Sequence, residues 1–329
     1  QRDVKVKNIV IDTQNYLFLR SVKDSGSNLF VAALYRALQM VNDNGIIAYV
    51  IPKNFLHVSS YSLLRKKILN ETSILSIIDI GAYFKGVRGE QIVLILKKKY
   101  EENNTINIKK YENGIFVGKC VVKQQFYTND IILFDSQEDF DIYVKMEKTY
   151  QKFSDICTGY VGRGKSKSST AISGKDIRKF GLKEQVIPKT GNKVFIQNIY
   201  STESGVIASF GGNLEAKETV TVFTDGDEKM CRYILGILHS RLCNYYLYKF
   251  CFNSSRLTMH TDAKYLMKLP LEVNADLFNQ VINEVQFLEK VEYLSDDWYS
   301  IFESLNNLIY KIYRIEDSEK NYIEKEMKK

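Results

Sequence analysis

The apolar periodicity of residues 28–100 switches repeatedly between helical and strand-like spacing, and this constrains the chain more than any other feature. Leu29, Ala32, Ala33, Leu34, Ala37, Leu38 and Val41 recur at helical spacing, whereas residues 46–51 are a continuous apolar run closed by Pro52. Such a run reads as a strand buried on both faces. Residues 62–69 repeat the helical pattern and residues 74–80 the buried strand. The next apolar run, 92–96, follows a loop with no helical pattern. A parallel crossover needs about a dozen residues or more and usually a helix, so the last two strands are expected to be antiparallel neighbours in an α/β sheet.

The residues themselves then carry a resemblance. Asn28-Leu29-Phe30 opens a helix, Asn44-Gly45 precedes the first strand, and Val50-Ile51-Pro52-Lys53-Asn54-Phe55-Leu56 leaves it. Leu63-Leu64-Arg65 lies in the next helix and Asp79-Ile80-Gly81-Ala82-Tyr83-Phe84 at the hairpin. Together these resemble the gamma class of N6-adenine DNA methyltransferases, over the part of the catalytic domain that follows its Asn-Pro-Pro-Tyr motif. The resemblance implies the C-terminal part of a Rossmann-like methyltransferase sheet ending in an antiparallel hairpin. It further implies an α+β, TaqI-like target-recognition domain with C-terminal helices. Residues 1–150 would be the incomplete catalytic part with its bridge, and residues 151–329 the recognition domain. Residues 1–27 would be the loop and short helix after the catalytic motif.

The chain contains neither Asn-Pro-Pro-Tyr nor Asp-Pro-Pro-Tyr, its three prolines being Pro52, Pro188 and Pro270, and no Gly-rich strand-to-helix turn that could hold a methyl donor. S-adenosyl-L-methionine is therefore expected only in the intact enzyme, and Gln1 is expected to be a cut rather than a native start. In the family, the strand that carries Asn-Pro-Pro-Tyr flanks the strand at 46–51. An apolar strand with an open edge invites pairing. This edge is expected to be covered by the missing N-terminal half, by a partner chain carrying Asn-Pro-Pro-Tyr, or by a second copy in a homodimer.

The 329 residues suffice for two domains. No apolar run reaches the roughly 18 residues of a membrane span, and a soluble, cytoplasmic protein is expected. Five cysteines without a C-x-x-C spacing read as buried thiols, and three dispersed histidines are too few for a zinc site. The formal charge is +7, and residues 163–193 hold nine basic side chains against two acidic ones. Such a stripe is the footprint of a polyanion such as DNA, although a basic run can also be a solvated face.

Phe84, at the Gly-x-x-Phe position of the hairpin loop, matches the family's aromatic that packs against a flipped adenine. An enzyme acting on a base in a duplex must extrude that base and hold it by stacking. The alternative is that Phe84 closes the core. Lys85 and Arg88 in the same loop are candidate phosphate contacts. The run Gly162-Arg163-Gly164-Lys165-Ser166-Lys167 lacks the P-loop spacing and reads as a mobile loop whose Arg163, Lys165 and Lys167 meet DNA. Three β-type runs, 193–200, 205–210 and 219–224, offer Lys193, Gln197 and Asn198 as candidate base readers. Residues 230–252 read as one strong helix. In the family the turn after it approaches DNA, which makes Arg256, Thr258 and His260 candidate contacts.

The expected function is the rear part of a site-specific DNA adenine-N6 methyltransferase of a restriction-modification system, inactive alone. It would supply double-stranded DNA recognition and part of the flipped-adenine pocket. Two alternatives stay open: a DNA-binding or inhibitory module without methyl transfer, and part of a fused restriction endonuclease-methyltransferase.

Overall fold

The computed structural model describes residues 28–157, 159–183 and 186–328, so the segment 1–27 lies outside the described residues. The chain divides into two compact units after Asp139, inside the helix Gln137–Thr149. The rest of that helix belongs to the second unit through side chains. Tyr143 stacks on Tyr246 at 5.9 Å, and Lys145 Nζ donates to the Arg314 carbonyl and to Glu319.

In the first unit α1 (Leu29–Met40) leads into β1 (Ile46–Pro52), and α2 (Ser62–Glu71) into β2 (Ser73–Gly81). Three further strands follow, β3 (Gln91–Lys97), β4 (Thr105–Glu112) and β5 (Ile115–Lys123). They form one mixed sheet in the order β1-β3-β2-β4-β5. The antiparallel pairing of β2 with β3 agrees with the missing crossover helix. β3 also pairs antiparallel with β1, so the returning strand is inserted between two strands that run parallel to each other. The β4–β5 hairpin closes through Asn113 and Gly114, both left-handed with φ of 51° and 86°, as a two-residue turn between twisted strands demands.

One strand expectation is corrected. β1 is not buried on both faces: Ile47 and Ile51 are buried, whereas Ile46 and Val50 are 55% and 47% exposed. A continuous apolar run records the residues' character but not whether a second layer faces them. Among the described residues β1 pairs with β3 alone. The apolar segment 131–134 joins no ladder. It is buried as extended chain, tied by the Ile131 amide to the Leu56 carbonyl at 3.0 Å. Arg65, fully buried, fixes this layer by donating to the carbonyls of Phe55 and Val58 at 2.7 Å each, to the Asn129 carbonyl at 3.1 Å and to Asp130 at 2.8 Å.

The second unit holds a four-stranded antiparallel sheet, in spatial order Ala208–Phe210, Lys193–Gln197, Val220–Thr224 and Val161–Arg163. The Gly- and Ser-rich run at 162–169 therefore begins in an edge strand rather than in a mobile loop. Pairing continues beyond it, with Gly164 N–H donating to the Val220 carbonyl and Ser166 N–H to the Ala216 carbonyl. Gly164 is required by close approach, since a Cβ there would lie 2.4 Å from the carbonyl oxygens of Ala216 and Lys217.

The expected helix at 230–252 is three pieces, Glu228–His239, Arg241–Tyr246 and a wider turn Leu247–Cys251. Ser240 makes the break. It leaves the helical region at φ −60°, ψ 150°, and its hydroxyl caps the next helix by accepting from the Cys243 amide. Apolar residues on every face hid this cap from periodicity. The C-terminal helices are Phe278–Leu288, Asp296–Ile312 and Asp317–Met327. No helix among the described residues is long and apolar enough to cross a membrane. All five cysteines are buried, and none is in a disulfide.

Candidate nucleic-acid interface

The first unit gathers charged and aromatic groups at the carboxyl ends of β1 and β2, where ligands of open α/β sheets bind. Lys53 follows β1 and is 4% exposed. Its Nζ lies 2.7 Å from Asp79 Oδ2 at the end of β2 and 3.5 Å from Glu90 Oε2 just before β3. Burial by itself would lower the Lys53 pKa, but the carboxylates of Asp79 and Glu90 outweigh it and raise the pKa, so the ammonium is charged. Asp79 also accepts from the Gly81 amide at 2.9 Å. The cluster thus pins both ends of the loop 82–90.

That loop carries Phe84, Lys85 and Arg88, all exposed. Gly81, Gly86 and Gly89 adopt φ of 56°, 80° and 94°, which keeps the loop tight enough to present its side chains outward. Phe84 is 42% exposed and does not close the core. Its ring meets Tyr83 at 5.1 Å, Tyr83 meets Tyr111 at 5.4 Å, and Tyr111 meets Phe116 at 5.3 Å. Sequence reading missed this row because Tyr111 and Phe116 join it only through the pairing of β2, β4 and β5. It equally missed Lys53, Asp79 and Glu90, which no local pattern links.

In the second unit Arg163, Lys165 and Lys193 line one cleft of about 490 Å³ together with Tyr160, Phe195 and Val222. Lys165 Nζ stands 5.5 Å from the centroid of the Tyr160 ring, and Lys165 and Lys167 are exposed. Lys193 is more constrained, donating to the carbonyls of Asn213 and Leu214. Gln197 is half-buried, and its backbone carbonyl accepts from the Thr261 hydroxyl. Asn198 is 3% exposed, with its amide engaged by Thr221, Asp262 and His260. Arg256, Thr258 and His260 are exposed on the turn that ends in the short strand Met259–His260, which pairs with Ile199 and Tyr200. Arg163 and Asn198, far apart in sequence, meet on Asp262, a residue that carried no sequence signal, and Asn198 in turn holds His260.

Part of the basic run serves packing instead. The Arg178 guanidinium lies 5.2 Å from the centroid of the Tyr293 ring. Burial, with a smaller contribution from Arg241, pushes Lys179 down to about 8. Nearby His239 is wholly buried. Burial first and Lys179 second lower its pKa to about 3, so it is neutral, with Nδ1 donating to the Leu235 carbonyl and Nε2 accepting from the Ala208 amide.

The first unit is thus an α/β fold whose mixed sheet holds its returning strand between two parallel ones, with an aromatic loop at the carboxyl ends of those two. More specifically, residues 4–84 match the model of the Eco57I restriction-modification methylase family. The fold is shared with the type IIL restriction-modification enzyme MmeI, solved in complex with DNA, at a TM-score of 0.50 and 10% identity, over 90% of this chain and 51% of that one. Two further solved structures match at lower scores. They are the type IIG restriction endonuclease BpuSI (TM-score 0.34, 11% identity, 94% of this chain and 53% of that one) and the type ISP restriction-modification enzyme LlaBIII bound to DNA (TM-score 0.42, 9% identity, 86% and 28%). The chain spans about half the length of MmeI and of BpuSI. No curated protein matches it.

Proposed function

We propose that this chain is the rear part of a site-specific DNA adenine-N6 methyltransferase of a restriction-modification system, acting on duplex DNA in the cytoplasm. The second unit reads the sequence, and Phe84 stacks against an adenine swung out of the duplex. The observation that carries the reading is the exposed Phe84 on a Gly-rich loop tied down at the carboxyl ends of β1 and β2. Lys85 and Arg88 flank it as phosphate contacts, and Arg163, Lys165 and Lys167 supply the electrostatic part of binding in the second unit.

The described residues do not fit the methyl donor. The carboxyl ends of β1 and β2 are filled by Lys53, Asp79 and Glu90, which are spent on one another, and the Gly-rich loop after β2 leads into a strand rather than into a helix N-terminus that could hold the donor. S-adenosyl-L-methionine and Asn-Pro-Pro-Tyr belong to the other half of the enzyme. That half, rather than a second copy, would cover the outer edge of β1, because strand pairing there would extend the sheet on the side of the family's Asn-Pro-Pro-Tyr strand.

The test is complementation. With a polypeptide carrying Asn-Pro-Pro-Tyr and the donor pocket, the chain is expected to methylate adenine in a duplex. Phe84→Ala is expected to slow transfer while leaving duplex binding intact. Base–aromatic stacking is worth roughly 1–3 kcal/mol, which corresponds to about 5- to 150-fold. Unchanged turnover removes Phe84 from the base pocket. Sequence-selective binding with no methylation in the complemented enzyme supports a DNA-binding module without methyl transfer.

A further inference from the structure

A line of hydrogen bonds in the second unit ends at an exposed imidazole and fixes which of its nitrogens carries the proton. Asp262 Oδ1 accepts from Arg163 Nη2 at 2.8 Å and from Nε at 3.2 Å. The same oxygen lies 3.3 Å from Asn198 Nδ2. A carboxylate beside an arginine only accepts, so the Asn198 amide must turn its NH2 toward Asp262. A second contact agrees. Asn198 Nδ2 lies 3.0 Å from Thr221 Oγ1, whose own hydrogen is directed to the Thr261 carbonyl at 2.9 Å, leaving that hydroxyl to accept from the amide.

The orientation of Asn198 then decides that of His260. Asn198 Oδ1 is 2.7 Å from His260 Nδ1, and the Asn198 backbone carbonyl is 3.3 Å from the same nitrogen. Two acceptors facing Nδ1 require a proton on it, which leaves Nε2 of the neutral ring as a bare acceptor. His260 is exposed, and its backbone is held by pairing with Ile199 and by the neighbouring Thr261 amide, which donates to the Asn198 carbonyl at 3.1 Å.

We propose that His260 is a specificity-determining reader whose Nε2 accepts a hydrogen bond from the exocyclic amino group of an adenine or cytosine in duplex DNA. The assignment rests on the reading of the second unit as a DNA reader. In the major groove only adenine N6 and cytosine N4 donate, whereas guanine O6 and N7 and thymine O4 accept and would face the bare nitrogen acceptor to acceptor. Asn198 and Asp262 act behind the reader as positioning residues, and Arg163 holds Asp262.

Selection of sites from a random duplex library by the whole chain tests the assignment. The wild type is expected to enrich a motif with adenine or cytosine at one position. His260→Ala is expected to weaken that preference about fivefold to tenfold, the scale of one hydrogen bond rather than a bidentate pair, with the other positions and the salt dependence unchanged. His260→Arg, which can only donate, is expected to move the preference at that position to guanine. Imidazole nitrogen shifts at neutral pH should report the Nδ1–H form for His260, with His239 as an internal reference for the same form. A motif unchanged in His260→Ala, or an Nε2–H ring, overturns this assignment alone. A wild-type chain that enriches no motif overturns the reading of the unit as a DNA reader, and the assignment with it.

Discussion

Replacing Lys53 with Met is expected to destabilise the first unit far more than an ordinary lysine substitution. Lys53 is 4% exposed, and its Nζ lies 2.7 Å from an Asp79 side chain that is itself 10% exposed. Methionine fills much of the volume but leaves Asp79 without its ammonium partner in a dry setting. Breaking a buried pair in this way costs about 3–5 kcal/mol. On a domain whose whole stability is about 5–15 kcal/mol, that is a large fraction. Because every 1.4 kcal/mol is tenfold, amide exchange of β2 and β3 through unfolding of this unit should accelerate by roughly 100- to 5,000-fold. The single tryptophan, Trp298, lies in the second unit, so its fluorescence is an internal control that should not move. Adding Asp79→Asn removes the nearer stranded charge, leaves that of Glu90, and keeps an oxygen for the Gly81 amide, and should restore part of the loss. A cost below about 1 kcal/mol, or a double variant no better than the single one, would refute the view that this pair holds the loop of Phe84.

Three other outcomes follow from named contacts. His239 has a folded pKa of about 3 against an ordinary 6.5, so the unfolded chain binds the extra proton between these values. The stability of the second unit should be full above about pH 6.5 and fall as pH drops toward 3, by up to about 1.4 kcal/mol per unit, a slope read from urea midpoints by Trp298 fluorescence and reduced in His239→Leu. Lys165→Ala and Lys167→Ala should each lower the slope of log affinity for duplex against log salt by about 1, and a slope equal to that of the wild type assigns them to solvent. Gly164→Ala forces a Cβ against two backbone carbonyls and should cost roughly 1–3 kcal/mol in thermal unfolding, whereas the same change at exposed Ala-tolerant surface positions should be near neutral.

The elements most legible in the sequence are those whose signal is local. The return of β3 beside β2 is legible because the loop between the runs at 74–80 and 92–96 carries no helical pattern, and the run at 74–80, read as a buried strand, is covered along most of its length. The misreadings have the opposite cause. The run at 46–51 is apolar throughout, yet only the identity of its spatial neighbours decides that Ile46 and Val50 are exposed while Ile47 is buried. The glycines at 162 and 164 resemble those of a flexible loop, although Gly164 is dictated by carbonyls some fifty residues away in the chain. Ser240 interrupts an apolar run without altering its composition.

By itself the sequence determined the α/β grammar of the first unit, the antiparallel return of β3, the β-rich middle of the second unit and the loop position of Phe84. These follow from period, crossover length and turn chemistry, which act over a few residues. Only the tertiary structure decided that β3 lies between β1 and β2, that Lys53, Asp79 and Glu90 form one buried cluster, and that Arg163, Asp262, Asn198 and His260 form one line of hydrogen bonds. Each joins groups distant along the chain, and the partner of a charge or an amide is set by which strands come to lie side by side, a property of the whole fold rather than of any segment within it.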